Sequence, residues 1–444
     1  WFHAGELAPA FDLWPDTTEL GEGELYSIPF QNDKGADAKV FSSCNPATVD
    51  RHFQWMQENS IDGVFLQRFI SELSIPSLKR CRDTVSVLVG KSCEKYGRVF
   101  AIMYDVSGSR SETVCSEIMS DWSMLAKEFT SSSSYLHHNG KPVLGLWGFG
   151  FSDRPDPGVS QLVKLINDLK QSAYVVGGCP TYWRQGINDS LEGYHDVYRM
   201  FDCLSPWTVG RYVHRTEVTD YYQTLFKEDV AFCEENNICI APVAWPGFSE
   251  MNLKRTESSC NVVPRQAGAF LWEQFRASVK FNPLFVYVAM FDELDEGTAI
   301  FKVSERSVIL DRGLVHPDVP NQLYRFLGLD ADGVSLPSDW YMRLVGRFTQ
   351  CFSEMCISPD KESSLNHLHE IQGIDMPERV RLYLKGLIEQ QNLEYDRARQ
   401  EVRECYRKIL MREGDPEGVS HYTQCLLRGV VISQIEQWMY DSPE

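Results

Sequence analysis

Short apolar runs rich in β-branched and aromatic residues recur through the first three quarters of the chain. Each is followed by a segment with helical period. The runs are Gly63–Leu66, Val99–Tyr104, Pro142–Trp147, Tyr174–Val176, Phe201–Leu204, Ile238–Ala244 and Leu284–Phe291. Near-continuous apolar runs of this length suit strands buried on both faces. Between them, Val49, Phe53 and Met56 fall at i, i+4, i+7, and Leu162, Leu165, Ile166 and Leu169 at i, i+3, i+4, i+7. Tyr222, Leu225, Phe226, Val230 and Cys233 continue the pattern, so each segment lays one apolar stripe on a sheet. Seven strands with crossover helices predict a (β/α)8 TIM barrel in the α/β class. No glycine-rich phosphate loop follows any run, which argues against an open nucleotide-binding sheet. Residues 1–40, rich in Pro, Gly, Asp and Trp, read as loop. The first strand is then either irregular or upstream of Trp1.

The pattern changes near residue 356. Ile357-Ser358-Pro359-Asp360-Lys361-Glu362-Ser363-Ser364 reads as a linker, and the chain beyond it is helical. Val402, Tyr406, Ile409 and Leu410 share one face; Arg412 to Gly418 stops one helix and starts another; Ser420 to Arg428 is the next, with Gly429 as its end. The expected organisation is a barrel domain over residues 1–356 and a small all-α domain over 365–444.

Composition narrows the partners. The chain has 444 residues, 43% hydrophobic and 24% charged, a balance that folds. Its formal net charge of −19 repels phosphate backbones and anionic lipid, so neither nucleic acid nor a membrane surface is expected as partner. No apolar run approaches the roughly 20 residues that span a bilayer. Thirteen cysteines include no C-x-x-C pair, which disfavours structural zinc. Cys233 with Cys239 and Cys351 with Cys356 are close in sequence, and an odd count leaves one thiol over in a monomer. Asn188-Asp189-Ser190 is a glycosylation sequon.

In a parallel barrel the active site lies at the C-terminal strand ends. Polar and aromatic residues gather there: Gln67-Arg68, Tyr104-Asp105, Trp147, Tyr182-Trp183-Arg184, Trp207 with Arg211, Trp245, and Asp292-Glu293-Leu294-Asp295-Glu296. Four tryptophans (147, 183, 207, 245) among carboxylates, amides and arginines suit a sugar, whose C–H faces lie on aromatic rings. Arg68, Arg184 and Arg211 would suit a sulfated or acidic one, or neutralise carboxylates. The acidic stretch is the sharpest feature. Four carboxyls within five positions after a buried strand repel one another, which raises one pKa and leaves another group ionised, as an acid and a base require. Glu293 and Glu296 are the expected catalytic pair. A solvated loop, favourable charges at a helix start, or an oxygen-ligand cation site are the competing readings. His137, His138, His367 and His369 read as solvated, whereas His3, His195 and His214 could reach the mouth from loops. No serine elbow is present.

Several of these segments, in order, resemble the glycoside hydrolase family 71/99-like proteins. They are Asp62-Gly63-Val64-Phe65-Leu66-Gln67-Arg68-Phe69, Ser205-Pro206-Trp207-Thr208-Val209-Gly210-Arg211, Trp245-Pro246-Gly247-Phe248-Ser249 and Met290 to Ala299. The resemblance runs from about residue 10 to residue 350. It implies a (β/α)8 barrel and endo-acting cleavage of α-mannosides. Glu293, Glu296, Gly297 and Thr298 match the Glu-x-x-Glu-Gly-Thr motif of family 99, and Leu294-Asp295 replace its Trp-His. The resemblance further implies that Glu293 is the base on the sugar 2-hydroxyl, giving a 1,2-anhydro intermediate with net retention. Glu296 is then the acid on the leaving oxygen. The tail, Tyr406 to Leu410 with Arg412-Glu413, Asp415 to Gly418, Tyr422, Leu426 and Gly429, resembles the domain of unknown function numbered 4214, whose modules accompany secreted bacterial proteins.

The sequence therefore predicts a retaining glycoside hydrolase acting on an oligosaccharide or polysaccharide, secreted or extracytoplasmic, with no cofactor. The alternatives are a non-catalytic carbohydrate-binding barrel and a metal-dependent hydrolase.

Overall fold

The structure, a computed structural model, describes residues 10–31, 37–310, 324–357, 378–412, 414, 416–427 and 430–440. The described N-terminal part is not all loop. Leu25–Gln31 (β1) and Asp37–Phe41 (β2) pair antiparallel, Leu25 opposite Phe41. Of β2 only Ala38 is buried, so this surface hairpin carries little of the apolar alternation by which a strand is read.

Pro46–Glu58 (α1) starts where Asn45 caps it, its side chain accepting the Ala47 N–H at 2.9 Å, and Pro46 supplies a preset φ at the first turn. Its buried face carries Val49, His52, Phe53, Trp55 and Met56. Then strands and helices alternate: Gly63–Phe69 (β3), Pro76–Tyr96 (α2), Val99–Asp105 (β4), Val114–Phe129 (α3), the short His137–His138 (β5), Lys141–Trp147 (β6), Val159–Lys170 (α4), Tyr174–Cys179 (β7), His195–Tyr198 (α5) and Cys203–Pro206 (β8). Arg215–Tyr221 (α6) passes through a π-helical turn, Tyr222–Phe226, into Lys227–Glu235 (α7). Cys239–Ile240 (β9), Val243–Ala244 (β10), Met251–Lys254 (α8), Ala269–Ser278 (α9) and Tyr287–Val288 (β11) complete the set.

The strands lie side by side in chain order, β3-β4-β6-β7-β8-β9, all parallel, and β10 pairs parallel with β11. Pro242 separates β9 from β10 because it has no N–H to give the ladder, though its carbonyl accepts the Tyr287 N–H at 3.0 Å. A sheet that never reverses its strand order, with a helix after nearly every strand, is the (β/α) barrel architecture and not the doubly wound one. Among the described residues no ladder joins β3 to β11. Both strands instead line a groove of about 520 Å³.

Parallel register sorts the side chains. Gln67, Met103 and Gly145 form one inward row, and Asp105, Trp147, Gly178 and Ser205 another. The interior is filled by Phe65, Met103, Trp147, Phe151, Trp207 and Tyr287. Glycine is needed in these rows: a Cβ on Gly145 would meet Met103 Cγ at 2.7 Å, and one on Gly178 would meet Trp147 Cδ1 at 2.3 Å. The other face holds Arg68, Tyr104 and Leu146 against the helices. There α4 buries Leu162, Leu165, Ile166 and Leu169, each about 1.5–3 kcal/mol of transfer free energy.

After the barrel, Val308–Leu310 (β12) and Tyr324–Phe326 (β13) pair antiparallel, and Trp340–Ile357 (α10) packs on α9, Phe348 stacking on Phe275 at 3.9 Å. Residues 358–377, which hold most of the expected linker, lie outside the described residues. So do Glu413, Asp415 and Gly429 of the tail motif, and His3, His367 and His369. Glu378–Ile409 (α11), Pro416–Leu427 (α12) and Ile432–Tyr440 (α13) are the C-terminal helices. Val380 and Leu384 of α11 join the core beside α10, while Val402, Cys405 and Tyr406 at its other end form a separate core with Val419, Ile435 and Met439. One long helix therefore serves both cores. Among the described residues no helix is long and apolar enough to cross a membrane.

Arg68 is 1% exposed and donates to both Asp121 oxygens at 2.7 and 2.8 Å and to Asp83 at 2.7 Å; Tyr104 donates to Asp121 at 2.8 Å. Asp121→Ala leaves that guanidinium buried without its main partner. It is expected to cost about 3–5 kcal/mol in urea unfolding, and a loss below 1 kcal/mol would contradict this assignment.

Candidate functional site

The acidic stretch leaves β11 as a closed loop. The Met290 N–H donates to the Thr298 carbonyl, and the Ile300 and Phe301 N–H groups donate to the carbonyls of Met290 and Phe291, at 3.0–3.2 Å. The loop is also gripped from outside. The Leu294 carbonyl accepts the N–H groups of Asp12 and Leu13 at 2.9 and 3.2 Å, and the Glu296 carbonyl accepts the Ser249 N–H at 3.0 Å. Arg265, buried against the Tyr341 ring, donates at 2.7 Å to the carbonyls of Gly297 and Ala299. Gly297 has φ +64°, and a Cβ there would meet the Ser249 backbone N at 3.0 Å, so both conformation and space call for glycine.

This frame puts Glu293 inside the protein, 6% exposed, lining the groove with Gln67, Tyr287 and Asp292. Burial pushes its carboxyl well above the usual carboxylate range. The negative charges of Glu296, Asp295, Asp292 and Asp105 push the same way. Asp105 is also raised by burial, although it accepts the Ser107 N–H at 2.8 Å and the Gln67 amide at 2.5 Å. Asp295 is fully buried, and Glu296 and Asp292 are partly exposed. A carboxyl of raised proton affinity beside others nearer solvent is an arrangement that can exchange a proton with a bound ligand.

The aromatic expectation divides. Trp147 and Trp207 meet edge to face at 5.1 Å in the interior. The Trp147 Nε1–H is buried without an acceptor, and Arg154 lies over its ring at 5.5 Å. Trp183 and Trp245 do not reach the mouth. Trp183 packs between Tyr198 and Phe232, and Trp245 between Tyr212 and Phe270, both in the layer under the helices. Arg68 and Tyr104 face that layer too. Arg184 pairs with Asp229 and Glu228, and Arg211 with Asp189, whose carboxylate also accepts the N–H groups of Thr181 and Tyr182. The arginines brace loops, and Asp189 of the sequon latches the Tyr182 loop; the partly exposed Tyr182 stands on it.

Three contributors were not foreseen. Asp12 accepts from Met251, Asn252 and Ser249, and burial raises its carboxyl. Its only signal is an acid between two buried apolar residues, Phe11 and Leu13. Arg265 carried none. His52 lines the groove, stacked on Trp55, and burial lowers it to about 4, so it is neutral near pH 7. Of the histidines expected to reach the mouth from loops, His195 starts α5 and lies against Phe232, and His214 precedes α6. Among the described residues no group of three His, Cys, Asp or Glu side chains is arranged to hold a metal ion.

The raised carboxyl has a consequence for stability. Folded Glu293 keeps its proton above the ordinary value near 4.5, where the unfolded chain releases it, so stability falls as pH rises through that window. Glu293→Gln cannot titrate. Its Tm, relative to the parent, is expected to climb between pH 4.5 and 8; a pH-independent difference would refute the burial of this charge.

No family model and no curated protein matches the chain. Among solved structures it is similar to the GH99 endo-alpha-mannosidase from Bacteroides thetaiotaomicron in complex with BIS-TRIS-propane, at 12% identity and TM-score 0.51, over 78% of this chain and 90% of that one. A second structure of the GH99 endo-alpha-mannosidase from the same organism matches at 11% and 0.51, over 80% and 91%. At such identities the likeness is one of fold, and it agrees with the (β/α) barrel architecture described above.

Proposed function

We propose that the chain is a glycoside hydrolase whose catalytic carboxyl pair is Glu293 and Glu296, acting on an α-mannoside-like glycan. The observation that carries this reading is the buried, charge-crowded Glu293 lining the groove, on a loop held by Asp12, Ser249 and Arg265. A carboxylate of ordinary pKa is a weak base toward a sugar hydroxyl. Raising it toward the working pH strengthens the base, which fits Glu293 as the group that takes the 2-hydroxyl proton. That hydroxyl oxygen then attacks the anomeric carbon, the 1,2-anhydro sugar forms, and Glu296 delivers its proton to the departing oxygen. Water, giving its proton to Glu296, attacks the anomeric carbon; the bond from that carbon to the 2-oxygen breaks, Glu293 returns its proton to the 2-oxygen, and the product has net retention. Gln67, Asp105, Trp147, Trp207 and Asp292 would bind the sugar around this pair, whereas the fully buried Asp295 would act only through its charge. Because Arg68, Arg184 and Arg211 are already paired with carboxylates, a neutral glycan fits better than a sulfated one.

Glu296→Gln and Glu293→Gln are each expected to lower kcat/KM on a cleaved mannan or mannoside by roughly 10²–10⁴-fold with glycan binding retained. Full turnover in either variant would sink the carboxyl-pair reading. Binding without cleavage by the parent chain would favour a carbohydrate-binding barrel. In the parent, kcat/KM should rise with pH along the limb set by Glu293. A fall from pH 5 upward would assign it the acid role instead.

A further inference from the structure

Cys44 and Cys81 are 37 residues apart and outside every pairing the spacing suggested, yet their Sγ atoms lie 2.7 Å from each other. A disulfide bond is about 2.05 Å long, so closing the gap needs a movement well under an ångström. Both side chains are partly exposed, so an oxidant can reach them. Their positions make the link mechanically useful. Cys44 lies in the turn directly before α1, where Asn45 caps that helix and donates to the Gly23 carbonyl at 2.7 Å and to the Tyr26 hydroxyl at 3.0 Å. Cys81 lies in α2 and lines the groove beside Arg82, which Glu72 holds at 2.5 and 2.8 Å. The groove is bounded by β3 and β11, which no ladder joins among the described residues, and α1 and α2 flank its β3 side.

We propose that Cys44 and Cys81 form a disulfide that ties the N-terminal hairpin and α1 to α2, fixing one wall of the groove. With glutathione disulfide as oxidant, the thiolate of one cysteine attacks a glutathione sulfur and expels glutathione thiolate. The other thiolate then attacks the protein sulfur of the mixed disulfide and expels the second glutathione. Two electrons pass to glutathione, and both cysteine protons end on its thiols. Burial and the neighbouring Cys81 push the Cys44 thiol up to about 11, so the thiolate is scarce at neutral pH and closure is slow there. Such a pair suits a structural cross-link and not a fast redox sensor.

The full-length chain is equilibrated with glutathione disulfide and glutathione at a poise near −180 mV, free thiols are alkylated, and the digest is mapped without reduction. The expected result is a peptide containing Cys44 joined to one containing Cys81, formed on the order of tenfold faster per pH unit from 7 to 9. Oxidised chain should melt about 3–6 °C above reduced chain. Cys44→Ser and Cys81→Ser should each remove this difference. Alkylation of both thiols to the same extent as the unpaired Cys115, or their linkage to other cysteines, would overturn the proposal. The link without a Tm gain would overturn its anchoring role. Both readouts come from the unsubstituted chain, so they stand even where a variant folds poorly.

Discussion

A loop that carries four carboxyl groups in five positions pushes itself apart, and a buried one also pays for desolvation. Here the opposing force comes from the backbone. The carbonyls of Leu294, Glu296, Gly297 and Ala299 are each gripped by donors from elsewhere: the Asp12 and Leu13 N–H groups, the Ser249 N–H, and the Arg265 guanidinium. Asp12 is held in turn by Met251, Asn252 and Ser249. None of these grips neutralises a side-chain carboxyl directly, so Glu293 is positioned without losing its raised proton affinity. Arg265 lends positive charge only to the carbonyl side of the loop. The grips that position the loop also bury Glu293, and burial together with the neighbouring carboxylates raises its proton affinity.

The second constraint is the parallel register. Because partners across a parallel ladder share a face, alternate residues of one strand end serve different layers. Gln67 and Asp105 meet inside, and Arg68 and Tyr104 meet outside around Asp121. The outer network is rigid and charged, the inner one is carboxyl-rich with a row of small residues that admits Trp147. The chemistry proposed for the interior rests on that outer bracing, because the same strand end carries both.

The C-terminal helices show how an element can belong to two cores. Helix α11 presents Val380 and Leu384 to the barrel side and Val402 and Tyr406 to the terminal bundle. Its charged middle is solvated, with ion pairs such as Arg397 to Glu401 at 3.2 Å contributing little. Rigidity along this helix comes from its backbone, so the terminal bundle is carried at a distance by one continuous element.

Local pattern along the chain was enough to set the layered architecture and the position of the acidic turn. Apolar period distinguishes strands buried on both faces from one-sided helices, and both signals are local. The crowding of carboxyls at Glu293 was legible too, because adjacency in the chain guarantees repulsion wherever the loop lies. Which strand-end residues face inward was not. Arg68, Trp183 and Trp245 were expected at the mouth on position alone. For Arg68 a shift of one residue along its strand reverses the face, and the register of the assembled sheet decides it; Trp183 and Trp245 follow their strands, and the packing of those turns decides where they point. The hairpin of β1 and β2 was missed because a surface strand buries too little to leave a pattern. Asp12, Arg265 and the Cys44–Cys81 approach were illegible for a related reason. Each acts through a contact far along the chain, 237 residues in the case of Asp12 and Ser249. Such contacts are fixed by how elements pack, which no local period encodes.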